Sequence, residues 1–182
     1  MTPNSSVLSR LRMCMDQGLY ADVVLNSDHS GESYSGFITG IGDGYVAVQE
    51  VYDMRLEGTR VFSIVAVVDC VFEGDTKRGQ QEILEWSGIS QSSCVDWISL
   101  DDPKSCIESI ANNHNWLAVH DGPGCDIGQI VSVGLKTFEL LAVRPIGEWY
   151  EESFEISYDD VSHLNIGDHY SETYRRYMSR DC

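Results

Sequence analysis

Basic residues are scarce in this sequence, and their scarcity argues against one class of partner. The chain has 182 residues, of which 12 are lysine or arginine and 29 are aspartate or glutamate, so its formal charge is −17. Nucleic acids and anionic lipids bind through clustered cations, and this balance disfavours both as ligands. It favours a cationic partner, a bound metal ion, or an acidic solvated surface without a partner, the last being the commonest case.

Long apolar runs are missing too. No stretch approaches the ~20 apolar residues that span a bilayer, and the first 18 residues lack the apolar core of a secretory signal. The six cysteines form no C-x-x-C pair; they are Cys14, Cys70, Cys94, Cys106, Cys125 and Cys182. We therefore predict a cytoplasmic protein with reduced thiols and no membrane association. Cys70 lies in an apolar stretch, and we interpret it as a small buried residue.

Known metal-ligand spacings are also absent. The two densest sets of possible ligands lack a pattern such as H-E-x-x-H. The first set contains His163, His169, Asp168, Asp159 and Asp160; the second contains His114 and His120. We favour ordinary surface and loop roles for these side chains, so no metal ligand is assigned.

No catalytic or phosphate-binding signature stands out. Cys125 follows a Gly-Pro-Gly turn close to His120, but an activated thiol also needs a lowered pKa and an oxyanion site. Gly40, Gly42 and Gly44 lack the helix and lysine of a phosphate loop, and we interpret them as a bend. The acidic run Glu148–Glu155 is interpreted as a solvated hairpin, with a patch for a basic partner as the alternative. We assign no catalytic or cofactor-binding residue and expect no cofactor.

The spacing of apolar residues predicts a helix and five short strands in the first half. Val7, Leu8, Leu11 and Met15 share one face of a helix over residues 5–17. The predicted strands cover residues 20–26, 34–41, 45–51, 60–68 and 69–73, with a connection around residues 54–58. Short strands between glycine-rich turns are typical of small β-barrels.

The same order recurs in the second half. A helix opens at Asp102 and Pro103, and a strand over residues 116–120 and a turn over residues 121–124 follow. At a constant offset, Gly36, Ile38, Gly42, Val51, Phe62 and Ile64 correspond to Gly128, Ile130, Gly134, Val143, Phe154 and Ile156. After a one-residue shift, Val68, Gly74 and Asp75 correspond to Val161, Gly167 and Asp168. The repeat predicts a shared fold in which the glycines bend the sheet.

The repeat divides the chain into a first copy over residues 1–77, a linker over residues 78–100 and a second copy over residues 101–182. A short helix is predicted over residues 81–86 of the linker. Val95, Trp97 and Ile98 are predicted to pack onto a barrel. A further helix is predicted over residues 170–177, close to the C-terminus.

This arrangement of a helix and five bent strands resembles the Sm-like fold over most of the chain. Gly36, Ile38 and Asp43, followed by the apolar run 45–48, resemble the first Sm signature, and Gly128, Ile130 and the run 137–140 repeat it. The resemblance implies a mainly β protein with flanking helices: two tandem five-stranded Sm-like or SH3-like barrels, each preceded by a helix. Sm proteins assemble as rings by pairing barrel edge strands, so it also implies edge pairing within or between chains.

The RNA-contacting residues of the Sm family are absent. Val46 and Phe138 stand where the family has its uridine-contacting asparagine, and residues 64–67 and 156–159 replace the second signature with its basic pair. Apolar side chains cannot read a base edge, so the resemblance extends to the fold and not to RNA binding.

From these observations we predict a non-enzymatic binding or assembly module that acts through barrel edges or acidic hairpins. Its partner would be another protein or a second copy of the chain. Two alternatives stay open: a small metal-dependent or Cys-dependent hydrolase with a site between the copies, and a degenerate RNA-binding protein.

Overall fold

The described part of the chain forms ten strands and four α-helices. A computed structural model describes residues 5–26, 32–92, 95–121 and 124–180. The helices are α1 (Ser5–Gln17), α2 (Asp75–Trp86), α3 (Pro103–Asn113) and α4 (His169–Met178). The strands are β1 (Tyr20–Leu25), β2 (Ser33–Ile41), β3 (Tyr45–Tyr52), β4 (Arg55–Ser63), β5 (Val67–Val71), β6 (Leu117–Asp121), β7 (Gly124–Val133), β8 (Thr137–Ala142), β9 (Phe154–Ser157) and β10 (His163–Ile166).

All ten strands belong to one antiparallel sheet, with the order β5-β1-β2-β3-β4-β10-β6-β7-β8-β9. The first five strands and the last five have the same internal order, and β4 pairs with β10 to join the two halves. The prediction of a mainly β protein with flanking helices is confirmed. The sheet is open, because β5 and β9 each have one neighbouring strand in the described part of the chain. The predicted pair of closed barrels is therefore not confirmed.

The duplication extends to the register of the strands. The pairing of β2 with β3 shifts between Ile38 and Gly40, and that of β7 with β8 shifts between Ile130 and Ser132, 92 residues later in both cases. A 3-10 turn then precedes the last strand of each half, at residues 64–66 and 158–160. Apolar pattern and glycine spacing thus revealed a real structural repeat.

The predicted correspondence is wrong by two residues in β4 and β9. Val46 faces Phe62, whereas the equivalent Phe138 faces Ile156, so Phe62 corresponds to Ile156 and not to Phe154. A shift of two residues keeps every side chain on the same face of a strand, so alternation could not reveal it.

In the last strands of the two halves the predicted correspondence is wrong by one residue. Cys70 faces Val23, and Leu164 faces the equivalent Val119. Val161 therefore corresponds to Val67 rather than to Val68.

The boundaries of β4 and β5 also differ from the prediction. Asp53 and Met54 have φ values of 47° and 57° and form the turn, so residues 55–58 belong to β4 and not to a connection. After Ser63 a 3-10 turn interrupts the predicted strand over residues 60–68. Ile64 and Ala66 stay buried within this turn, so the burial pattern continues where the strand does not. Likewise, α2 begins at Asp75, six residues before the predicted start.

Each half has its own buried cluster, and the second cluster extends under the junction. Leu11, Val23 and Phe62 are among the residues of the first cluster. The second cluster contains Ala47 and Val61 of the first half beside Leu140 and Leu164 of the second. Val95 and Ile98 are buried in it and Trp97 packs against it, which confirms the predicted packing of the linker. Strand pairing and a shared core therefore connect the two halves.

Glycines in β2 and β7 allow two backbones to approach closely. A Cβ atom on Gly36 would collide with the carbonyl of Gln49, and one on Gly128 would collide with that of Leu141. Beside β2, the Gly44 and Tyr45 amides donate to the carbonyl oxygen of Leu100 at 3.1 and 2.9 Å. The glycines of β2 and β7 therefore let neighbouring backbones approach closely, in the same strand pairs whose register shifts.

The described cysteines include a buried pair. The sulfur atoms of Cys14 and Cys70 lie 3.7 Å apart between α1 and β5, and both residues are inaccessible to solvent. The prediction that Cys70 is a small buried residue is confirmed. Cys94, Cys182 and the centre of the predicted turn over residues 121–124 lie outside the described residues.

Candidate functional site

The junction between the halves is a four-residue antiparallel pairing. In it His163 faces Phe62, Leu164 faces Val61, Asn165 faces Arg60, and Ile166 faces Thr59. On its other side β10 pairs with β6, so that His163 also faces His120. Because the side chains of a strand alternate between its faces, His163 and Asn165 lie on one face and Leu164 and Ile166 on the other. The second face is the apolar one, since both of its side chains are buried in the shared core.

Arg60 is the centre of the polar face. Its guanidinium donates to Oε2 of Glu50 through Nε at 3.0 Å and through Nη2 at 2.7 Å. Its Nη1 lies 3.0 Å from Nε2 of His163, and its carbon Cζ lies 4.0 Å from the centre of the Tyr34 ring. Carboxylate, imidazole and aromatic face together hold this cation in one orientation.

Two imidazoles stack beside Arg60. The rings of His120 and His163 lie 4.0 Å apart and within 15° of parallel. Burial, His120 and Arg60 lower the pKa of His163 to about 3, and burial with Arg60 lowers the pKa of His120. Both rings are therefore neutral at pH 7. Ser162 Oγ lies 3.2 Å from Nδ1 of His163, the ring nitrogen on the side away from Arg60.

Cys125 and His120 are brought together, as a hydrolase would require, but the pKa of the thiol is raised. Sγ of Cys125 lies 3.6 Å from Nε2 of His120, and Nδ2 of Asn165 lies 3.4 Å from the same nitrogen. Burial and the carboxylates of Asp168 and Asp126 raise the pKa of the Cys125 thiol. Because the thiolate is the reactive form, a raised pKa lowers the reactivity of this thiol.

Asn165 is not placed as the third member of a catalytic triad. It contacts the same ring nitrogen as the thiol, so it does not orient the imidazole from the opposite side as the third member of a catalytic triad does. The contacts of this pair within the described residues therefore include no third residue that orients the imidazole from its other nitrogen.

The residues that the sequence offered as metal ligands are dispersed. His163 belongs to the junction, Asp168 caps α4 by accepting from the Ser171 amide at 2.9 Å, and the amide of His169 lies 3.4 Å from Glu57. Asp159 and Asp160 lie exposed in a 3-10 turn. Within residues 5–26, 32–92, 95–121 and 124–180, no three His, Cys, Asp or Glu side chains form a group that could hold a metal ion.

His114 also has a structural contact. Its Nε2 lies 3.0 Å from the carboxylate of Glu172, which in turn binds the guanidinium of Arg175 at 2.7 to 2.9 Å. The contact joins the end of α3 to α4.

The acidic run over residues 148–155 is a loop that leads into β9. An isolated antiparallel β-bridge joins Trp149 to Val143, and the amide of Arg144 donates a hydrogen bond to the carbonyl of Glu148 at 2.7 Å. Glu148, Glu151, Glu152 and Glu155 are exposed.

The two outer strands are the other notable feature of the sheet. By the register of the repeat, β9 in the second half is the equivalent of β4, and β5 in the first half is the equivalent of β10. The side chains that match Arg60 and Asn165 are Phe154 and Val71, both partly buried. Where the junction has a polar pair, the outer strands thus have an apolar one.

Sequence reasoning missed Arg60, Glu50 and Asn165. Each stands at a position that the strand pattern marks only as solvent-facing, and Arg60 lies far in the sequence from His163. One signal was available: Arg60 is one of just 12 basic residues and opens a predicted strand, residues 60–68, of otherwise apolar and small side chains. Val46 and Phe138, which the resemblance placed at the RNA-contacting position, are buried.

Comparison of the chain with protein-family models, with curated proteins and with solved structures gave no match. Among the described helices, none combines the length and apolar character that crossing a bilayer requires.

Proposed function

We propose that this protein is a tandem Sm-like assembly module that associates head to tail with copies of itself. In the proposed contact, β9 of one molecule pairs with β5 of the next, as β4 pairs with β10 inside the chain. The internal junction supports this proposal, because it is formed by the strands equivalent to the two outer ones. An unpaired strand edge is a ready template for further pairing.

The internal register predicts the contacts between molecules. Transferred to the outer strands, it places Ile156 opposite Asp69, Glu155 opposite Cys70 and Phe154 opposite Val71. Burial of the Phe154–Val71 pair would stabilise the contact between molecules. This apolar pair would take the place of the polar cluster that stabilises the internal junction. Val68, which is 50% exposed on β5, extends this apolar edge.

The contact is heterologous, since it joins two different edges of the chain. Heterologous contacts close into rings or continue as filaments. Each molecule has one β5 edge and one β9 edge, so blocking either edge should stop the oligomer from growing.

Complementary edge variants test the proposal. Val71→Lys blocks the β5 edge and Phe154→Lys blocks the β9 edge, because a lysine on an edge strand opposes pairing. Light scattering coupled to size exclusion, at protein concentrations up to about 1 mM for a contact of this small size, should show oligomers of the native protein and monomers of each variant. A mixture of the two variants keeps one intact pair of edges, so it should form a 1:1 heterodimer and nothing larger.

Val131→Lys is the matched control, because Val131 is 55% exposed on the inner strand β7. It should associate like the native protein. Circular dichroism verifies the fold of each variant. A native protein that stays monomeric at every concentration, or a mixture of variants that forms no heterodimer, would contradict the proposal.

A further inference from the structure

A groove beside the junction forms a second surface, separate from both outer strands. Its first part has a volume of about 580 Å³, and its second part has a volume of about 410 Å³. The first is lined by Pro145, Ile146, Gly147, Thr173, Tyr174 and Tyr177. The second is lined by Glu50, Tyr52, Glu57, Arg60, Asn165 and Asp168. His169 and Tyr170 line both parts, so the two parts adjoin.

The first part is aromatic and exposed. Tyr170, Tyr174 and Tyr177 lie on one face of α4, because residues four and seven apart are neighbours on a helix. Ile146 is 70% exposed, Tyr170 58% and Tyr177 45%. The hydroxyl of Tyr174 donates to the carbonyl of Pro145 at 3.1 Å, which ties the loop to the helix. A contiguous apolar surface of this kind marks a binding site more often than a solvated face.

The second part is rich in hydrogen-bond acceptors. The carboxylate of Glu50 is bound by Arg60, which leaves Glu57 and Asp168 as the other charged groups of its lining. Oδ1 of Asn165 is buried and has no hydrogen-bond partner among the described residues. Tyr52 is 70% exposed at the rim and adds an aromatic face. Carboxylates beside aromatic rings form an environment suited to a cation.

We propose that this groove binds a proline-rich peptide that contains a lysine or arginine. The prolines would lie across Tyr170 and Tyr174, because the guanidinium of Arg180 already lies 3.4 Å from the centre of the Tyr177 ring. The cationic side chain would enter the pocket beside Glu57 and Asp168. A polyproline II segment packs on aromatic faces and loses little conformational entropy when it binds. The formal charge of −17 adds a general attraction for a basic ligand.

The groove favours side-chain recognition over strand addition. Its floor includes β4 and β10, each paired on both sides, so no strand edge is open there to an extended peptide. The four prolines of these 182 residues lie singly, so the proposed peptide is not one of their segments. None of the residues that line the groove lies on β5 or β9, and the proposal is therefore independent of self-association.

Fluorescence anisotropy with a labelled decapeptide tests the proposal. The probe is an oligoproline with one central arginine, titrated with the full chain at low salt. We expect saturable binding that weakens about tenfold in Ile146→Asp and in Glu57→Gln, a loss equivalent to one good apolar or charged contact. Replacing the arginine of the probe by glutamine, or its prolines by glycine, should weaken binding to a similar extent.

Leu135→Asp and Glu151→Gln are the matched controls. Leu135 is 84% exposed and Glu151 is exposed, and both lie outside the groove lining. They should bind the probe like the native protein. Absence of saturable binding would overturn the proposal, and so would equal losses in groove and control variants, which would indicate general charge attraction. Tighter binding of a helical peptide with the same charge would overturn the assignment of the ligand's conformation.

Discussion

At the residue scale, His163 links the stability of the junction to pH. Burial, His120 and Arg60 lower its pKa to about 3, below the value of about 6.5 for an unfolded chain. Between these two values the unfolded chain binds a proton on His163 that the folded chain does not, so the free energy of unfolding falls as pH falls. Stability from this residue is therefore present above pH 6.5 and is lost progressively towards pH 3.

The variant His163→Gln should lose this pH dependence. From pH 7 to pH 5 we expect the native protein to lose about 2 kcal/mol of unfolding free energy through this residue, on the basis of 1.36 kcal/mol per pH unit. Urea denaturation of both proteins over this range measures the difference. His169→Gln, which removes an exposed imidazole, should keep the native slope. Equal slopes in His163→Gln and the native protein would refute the assignment.

The thiol of Cys125 should react slowly. The thiolate is the reactive form, and burial with nearby carboxylates raises the pKa of this group. Alkylation by iodoacetamide at pH 7, followed by mass spectrometry, should be slower at Cys125 in the folded protein than in the urea-unfolded chain. Cys125→Ser identifies the modified peptide. Faster alkylation in the folded protein would show an activated thiol and would favour the hydrolase hypothesis.

The sequence indicated the proximity of Cys125 and His120, because both flank one predicted turn. It could not indicate their protonation, which depends on Asp168 and Arg60 from the far parts of the chain.

At the element scale, the glycines and helix ends were the most predictable features. Asp102 accepts from the Ser105 amide at 3.0 Å and starts α3 before a proline, as its position in the sequence indicated. The predicted bounds of α1 agree with the structure. The end of β4 was not predictable, because Ile64 and Ala66 continue the buried pattern through a turn.

Two Gly→Ala variants distinguish close approach from simple flexibility. A Cβ atom on Gly42 would collide with the backbone of Leu100, whereas one on Gly79 in α2 has nothing within 4 Å. Gly42→Ala should therefore destabilise the protein by about 1–3 kcal/mol through overpacking. Gly79→Ala should stabilise it by roughly 0.5–1 kcal/mol through helix propensity. Chemical denaturation measures both changes, and a neutral Gly42→Ala would show that the linker backbone moves aside.

At the scale of the whole molecule, charge should govern the proposed self-association. Both outer edges are acidic: Glu151, Glu152 and Glu155 adjoin β9, and Asp69 and Glu73 belong to or follow β5. Arg10 lies 3.7 Å from Asp69 and 3.9 Å from Glu73, and offsets part of this charge. Two like-charged edges repel each other, and added salt screens the repulsion.

Self-association should therefore strengthen when salt is raised from about 20 mM to about 300 mM, since the screening length at 0.1 M is about 10 Å. Sedimentation velocity at several protein concentrations measures this change. Val71→Lys should stay monomeric at both salt concentrations. An association that weakens with salt would indicate a contact between opposite charges, and the edge pairing would then be wrong.

The sequence by itself determined the bounds of α1, the start of α3, the strand-rich halves and the duplication, because these follow from spacing, capping and glycine positions along a continuous chain. Tertiary structure decided the rest. The strand β10 takes its place between β4 and β6 through pairing between distant segments, and Arg60 meets His163 across 103 residues. No local pattern records such a contact, since its stabilisation arises only when both strands enter the same sheet and lose water together.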